Sequence, residues 1–188
     1  IQIWDVENQK KGATAPLWQA RNVPNDELDL VVPMHDTSLA QCKADPMGRV
    51  LAVSTAFGDI REYDVRANKR PTCSNQVVKT AQMLSNLVQS QVNEHHLYVV
   101  TQEGHPCVLD RRFNHKVVRK MPGSKGSIRT ASLLAQDGTE FLITGGCDRY
   151  LRVYDATKES QRDCCCGSAY MKQRINCILV APEVSSSL

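Results

Sequence analysis

Leu151-Arg152-Val153-Tyr154-Asp155 is a short alternating segment that ends on a bulky residue followed by aspartate. The same ending occurs at Ile1-Gln2-Ile3-Trp4-Asp5, Ile60-Arg61-Glu62-Tyr63-Asp64 and Pro106-Cys107-Val108-Leu109-Asp110. The closing aspartates stand at 5, 64, 110 and 155, so their spacings are 59, 46 and 45. Alternation with period two marks a half-buried strand, and a recurrence near 45 residues marks a repeat unit. The longer first spacing predicts an inserted segment of about 14 residues.

The interiors of the units agree with one another. In the last, Ser127–Leu134 reads as a strand, Gln136-Asp137-Gly138 as a hairpin turn and Glu140–Thr144 as a second strand. Gly145-Gly146-Cys147-Asp148 then turns the chain into Leu151–Tyr154. The second unit runs through Leu39–Lys43, Asp45-Pro46-Met47-Gly48, Val50–Ser54, Phe57-Gly58-Asp59 and Ile60–Tyr63. The third runs through Met83–Val88, Val92-Asn93-Glu94, His96–Thr101, Glu103-Gly104 and Pro106–Leu109. No stretch sustains a helical period.

Short strands with regular turns also suit a β-sandwich. The fixed period and the repeated ending favour an all-β, partial WD-repeat β-propeller, with about three blades plus flanking strands. The bulky residue then fills the space between adjacent sheets, and the aspartate caps the following turn. On this reading 1–10 ends an upstream blade, 11–33 is an inserted connecting segment, and 34–80, 81–123 and 124–172 are blades. Residues 173–182 hold a closing strand at Ile175–Val180, and 183–188 are a tail. Three blades leave open sheet faces, and a seven-bladed ring needs roughly 290 residues at this period. The chain, which starts without Met inside a strand, therefore reads as a fragment of a seven-bladed ring.

Composition removes several classes of function. With 188 residues, 41% hydrophobic and 23% charged, the chain has the balance of a folded domain. It lacks the ~18–20 apolar residues in a row that cross a bilayer, so no membrane role is expected. Aromatic residues are 5%, which argues against base stacking as the main device. Eight cysteines include no C-x-x-C pair, and Cys164-Cys165-Cys166 are adjacent. They read as reduced thiols of an intracellular protein, the alternative being a zinc site on that run with His95 or His96. No carboxylate or nucleophile stands at a catalytic spacing from His95-His96. No catalytic residue, cofactor, metal or small-molecule substrate is expected.

Charge is uneven. The 19 positions from Arg111 to Arg129 hold Arg111, Arg112, Lys116, Arg119, Lys120, Lys125 and Arg129 and no acidic residue. Clustered cations of this kind neutralise phosphates and release counterions, so these seven are the candidates for binding a nucleic acid, which the resemblance described next makes rRNA. Gly123-Ser124-Lys125-Gly126 reads as a mobile loop whose N–H groups can approach a phosphate, although it lacks the P-loop spacing. Arg66, Lys69 and Arg70 form a smaller candidate. Asp148 reads as a turn brace, with Arg149 and Arg152 serving the blade itself.

Ala20-Arg21-Asn22-Val23-Pro24-Asn25-Asp26-Glu27-Leu28-Asp29-Leu30-Val31-Val32-Pro33 occupies the long spacing. This stretch resembles a motif of the nucleolar Nop-seven-associated WD-repeat assembly factors of the large ribosomal subunit. The resemblance continues through Tyr63-Asp64, Lys69-Arg70-Pro71, Gly126-Ser127-Ile128-Arg129, Cys147–Arg152 and Lys172–Leu179. His35 and the Cys164–Cys166 run depart from it. It implies a non-enzymatic scaffold in the nucleus and nucleolus that binds large-subunit pre-rRNA and other large-subunit assembly factors, and that an AAA-type ATPase releases. Arg21, Asn25, Asp26, Leu28, Asp29 and Leu30 are the protein-contact candidates, as acidic and apolar residues on a segment that orders on binding. A rival expectation comes from Tyr63-Asp64-Val65-Arg66, which resembles the box by which substrate receptors of cullin-type ubiquitin ligases meet their adaptor; a WD scaffold of another complex is the remaining alternative.

Overall fold

The computed structural model describes residues 1–9, 15–43, 45, 47–78, 82–158 and 164–181. Three four-stranded antiparallel sheets follow one another, each a simple meander. The first is β3 (Asp36–Gln41), β4 (Val50–Thr55), β5 (Asp59–Asp64) and β6 (Cys73–Gln76). The second is β7 (Leu84–Gln89), β8 (His96–Thr101), β9 (Pro106–Asp110) and β10 (Lys116–Lys120). The third is β11 (Ile128–Gln136), β12 (Thr139–Gly146), β13 (Tyr150–Asp155) and β14 (Cys165–Tyr170). Ahead of them β1 (Gln2–Ile3) pairs with β2 (Trp18–Gln19), so the inserted segment contains a strand. This is the all-β pattern of WD-repeat propeller sheets. One four-residue helix, α1 (Val6–Gln9), and a single 3-10 turn at Arg111–Phe113 complete the described elements.

The repeated endings do the work expected of them. The Asp5, Asp64, Asp110 and Asp155 carboxylates each accept the backbone N–H two residues on, at 2.9 Å in every case. Before them, Tyr63, Leu109 and Tyr154 are buried and fill the space between successive sheets. Tyr154 packs with Tyr98, Val108 and Met121 of the second sheet, and Leu109 with Ala40, Cys42 and Ala52 of the first. Trp4 departs from the pattern and is exposed; Trp18 is buried instead, edge-on to Tyr63 at 6.0 Å. Asp137 and Gly138, at φ 50° and 77°, give the two-residue hairpin that the sequence predicts.

Each inner strand also carries one extra residue at the same place. Pairing skips Thr37 in β3, Ser85 in β7 and Arg129 in β11. Such a bulge aims its side chain out of the regular ladder. The Thr37 hydroxyl donates to Leu84 O at 2.5 Å, and that of Ser85 to Ile128 O at 2.7 Å, so each sheet is tied to the next. At the third position stands Arg129, which is exposed.

All eight cysteines are free thiols. Among the described residues, no group of three or more His, Cys, Asp or Glu is arranged to hold a metal ion, and no helix is long and apolar enough to cross a membrane.

Candidate nucleic-acid interface

A meander sends its connections alternately to two ends of the sheet. The β3–β4 and β5–β6 turns lie at one end, here the lower; β4–β5 and the link to the next sheet lie at the upper. The basic run therefore does not form one patch. Arg111 and Arg112 are in a lower turn, Lys116 to Lys120 climb β10, and Lys125 and Arg129 sit at the upper end. Five residues of strand separate the two ends by roughly 17 Å.

Three of the seven candidates are engaged within the fold. Arg111 makes a two-pronged pair with Glu62 of the first sheet, Nε to Oε1 at 2.5 Å and Nη2 to Oε2 at 3.0 Å. The ring Nε2 of buried His115 lies 2.9 Å from the same Oε1. Burial alone would raise the Glu62 carboxyl, but hydrogen bonds from His115 and Arg111 and their charges outweigh it, holding the group at about 2. Arg112 closes on Asp110 at 2.7 and 3.1 Å, and its guanidinium stays half in water. Arg119 donates to the carbonyls of Ala156 and Lys158, just beyond β13 of the third sheet. Linear sequence hides all three partners' sides of these contacts except Asp110, because Glu62 lies 49 positions away.

Lys116, Lys120, Lys125 and Arg129 face solvent. Among the described residues none of the four enters a salt bridge; Arg129 donates from Nε to the Cys147 Sγ at 3.2 Å. The Gly123–Gly126 loop, read from sequence as mobile, is held: Ser124 N–H donates to Gly104 O at 2.9 Å. Gly104 makes this possible, since at φ 93° a Cβ there would lie 2.5 Å from Ser124 Oγ.

The upper end gains cations that the linear run does not contain. Cys147 N–H donates to Ser127 O, Met171 N–H to Arg149 O, both at 2.8 Å, and Ile175 N–H to Gly146 O at 3.1 Å. These bonds bring Arg149, Lys172 and Arg174, all exposed, to the end where Lys125 and Arg129 stand. Arg152 donates to Asp148 at 2.5 Å, and Asp148 also accepts Tyr150 N–H, the bracing role the sequence predicts. Arg149, in the turn between β12 and β13, and Lys172 and Arg174, just after β14, lie outside the linear run, and their place in turns at one end of the sheet is the signal that marks them.

The inserted loop is already braced. Asp26 Oδ1 accepts the N–H groups of Leu28 and Leu30 at 2.9 and 2.8 Å, and Asn25 Nδ2 donates to Asp29 Oδ1 at 2.8 Å. Arg21 N–H donates to Lys69 O at 2.7 Å, and Asn22 Oδ1 accepts from the buried Arg61 at 3.2 Å. Leu28, Leu30 and Val31 point outward, Leu28 at 78% exposure. In the Tyr63–Arg66 box, Arg66 closes on Asp64 at 2.8 and 3.0 Å, the same turn geometry as Arg112 on Asp110. His95 lies 3.5 Å from Glu94, and burial lowers the pKa of His96.

No protein-family model matches the chain. Among curated proteins, it is 30% identical over 155 residues to ribosome biogenesis protein NSA1 of Yarrowia lipolytica, covering 73% of this chain and 37% of that protein. It is 24% identical over 181 residues to WD repeat-containing protein 74 of Bos taurus and 26% over 185 to that of Homo sapiens, each covering 96% of this chain and 43% of the relative. The chain is homologous to this group of WD-repeat proteins. It spans less than half the length of these relatives. With 96% of the chain covered, the matches to WD repeat-containing protein 74 extend over all three sheets.

Proposed function

We propose that this chain is the docking part of a non-enzymatic scaffold in large-subunit ribosome assembly, working in the nucleus and nucleolus on pre-rRNA and neighbouring assembly factors. Two things support the reading: relatives that carry the name ribosome biogenesis protein, and unpaired cations gathered from several loops at one end of the sheets. The contact to RNA runs through Lys125, Arg129, Arg149, Lys172 and Arg174 at the upper end, with Lys116 and Lys120 on the flank. Arg111 and Arg119 tie one sheet to the next and Arg112 braces its own turn, and the three steady that surface without touching the ligand. The Asn25–Leu30 loop presents Leu28 and Leu30 to a protein neighbour in a conformation that needs no further ordering. A AAA-type ATPase removes the assembled factor when the particle matures.

The ligase-receptor reading is weaker, since the guanidinium it needs is spent on Asp64. Charge reversal at Lys116, Lys120, Lys125 and Arg129 in the full-length protein tests the proposal. Recovery of large-subunit precursor RNA with the purified protein falls sharply, and falls further as salt rises. Undiminished recovery at physiological salt removes the basic surface from the account.

A further inference from the structure

Of the five tyrosines, Tyr63, Tyr98 and Tyr154 are buried, while Tyr150 and Tyr170 are 39% and 52% exposed. The two exposed rings are neighbours. Tyr150 of β13 pairs directly with Tyr170 of β14, and their centroids are 5.3 Å apart at a 51° tilt. Their exposure does not come from an uncovered sheet face. Side chains alternate along a strand, so Tyr150 shares the face of Tyr154, which packs against the second sheet. The pair sits at the upper, outer rim of that seam.

The surroundings are those of an anion site. The Arg152 guanidinium lies over the Tyr150 ring at 5.1 Å and is held there by Asp148. Arg149 donates to the Tyr170 hydroxyl at 3.3 Å. Arg149 and Lys172 occupy left-handed conformations, φ 66° and 61°, in the two turns that bound the pair, and Met171 N–H on Arg149 O joins those turns. Residues 164–181 include Lys172 and Arg174 and no acidic residue. A cross-strand ring pair stabilises a sheet in any charge environment. Its ring of arginine and lysine is what a sheet does not require.

We infer that Tyr150 and Tyr170 form a stacking platform for unpaired bases, with Arg149, Lys172 and Arg174 receiving the flanking phosphates of a single-stranded RNA segment. Tyr170 is the more exposed ring and receives the base, while Arg152 lies over Tyr150 and adds cation–π attraction. Duplex RNA has its bases stacked inside and offers only its backbone to the same cations. The inference rests on the RNA contact proposed above and adds to it a preference for unpaired strands. It also revises the expectation from aromatic content: few rings suffice when two are placed together.

The test is fluorescence anisotropy with the full chain, a labelled single-stranded RNA of about ten nucleotides and a paired hairpin of equal charge. Tyr150→Ala with Tyr170→Ala weakens single-strand binding about tenfold or more and leaves hairpin binding within about twofold. Tyr170→Trp retains or improves single-strand binding. Both rings lie at the surface, so thermal melting confirms that each variant is folded. If the double variant binds the single strand as tightly as the native chain, while reversal of Lys125 and Arg129 abolishes binding, the stacking site is wrong and the RNA contact stands. If the native chain binds neither RNA, both readings fall. Equal loss on both RNAs in the tyrosine variant also overturns the platform.

Discussion

The two seams between the three sheets share their apolar filling and differ in how their polar groups are tied. Between the first and second sheets the lower end is charged: Glu62 meets Arg111 and His115, while Cys73 Sγ lies 3.9 Å from the other ring nitrogen of His115. Between the second and third, a single buried carboxylate, Glu140, collects neutral donors: Ser90 Oγ and Tyr98 hydroxyl at 2.8 Å and Gln91 N–H at 2.6 Å. One seam pairs opposite charges; across the other, Glu140 takes neutral donors and Arg119 gives to backbone carbonyls, with no ion pair among the described residues. The difference teaches that arginines in a basic run can serve the inside of a fold, and that a repeat preserves its shape while exchanging its fasteners.

The contrast is broken most severely at Glu62. Glu62→Gln leaves the Arg111 guanidinium, whose side chain is only 11% exposed, without its counter-charge. Removing one partner of such a pair costs about 3 kcal/mol, read as a drop in the urea midpoint with unchanged slope. Acid sharpens the assignment. The folded carboxyl at about 2 lies below its ordinary value of 4.5, so its contribution is complete above about pH 4.5 and is lost as pH falls through about 2. The stability gap between the native chain and Glu62→Gln therefore stays level from pH 7 to about 4.5 and closes below that. A gap that is independent of pH down to 3, or a loss under 1 kcal/mol, would sink the charged-seam account. Glu140→Ala comes next, at about 2 kcal/mol, since it strands three buried or half-buried donors; equilibrium unfolding against the same reference measures it.

How much of this was legible follows from where each signal lives. The bulky residue and its aspartate are local: strand, turn and cap lie within seven positions, and so the repeat announces itself and each aspartate cap appears as read. Trp4 shows the limit, because an adjacent residue type cannot say whether Trp4 or Trp18 reaches the seam. The basic run misleads for a geometric reason. Neighbours in sequence climb a strand and part to opposite ends, while Arg129, Arg149 and Lys172 converge only once the register of β11 to β14 is known. Glu62 and Arg111 need the packing of one sheet on another, which no period reveals. Tyr150 and Tyr170 needed both register and face.

The smallest expected effect concerns the seam after the third sheet. Leu87 N–H donates to Ser38 Oγ across the first seam at 3.2 Å, and Ile178 N–H donates to Thr130 Oγ1 at 3.3 Å. Ser38 and Thr130 each follow the bulge residue of their inner strand, so Ile178 is seated beside β11 as Leu87 is beside β3. A proposal follows, that 175–180 supplies the inner strand of a further sheet. Gly145 is the place to probe it. A Cβ at Gly145 would stand 2.7 Å from Ile175 Cγ2 and 2.9 Å from its Cβ, and no backbone atom of β11 is among its nearest neighbours. Gly145→Ala therefore displaces the segment and spares the seam to the second sheet. Global stability falls by less than about 1 kcal/mol, while amide exchange at Ile178 accelerates and exchange at Leu87 does not change. Equal acceleration at both amides would mean that the substitution loosens the sheet itself, and the segment would then have no separate seat to lose.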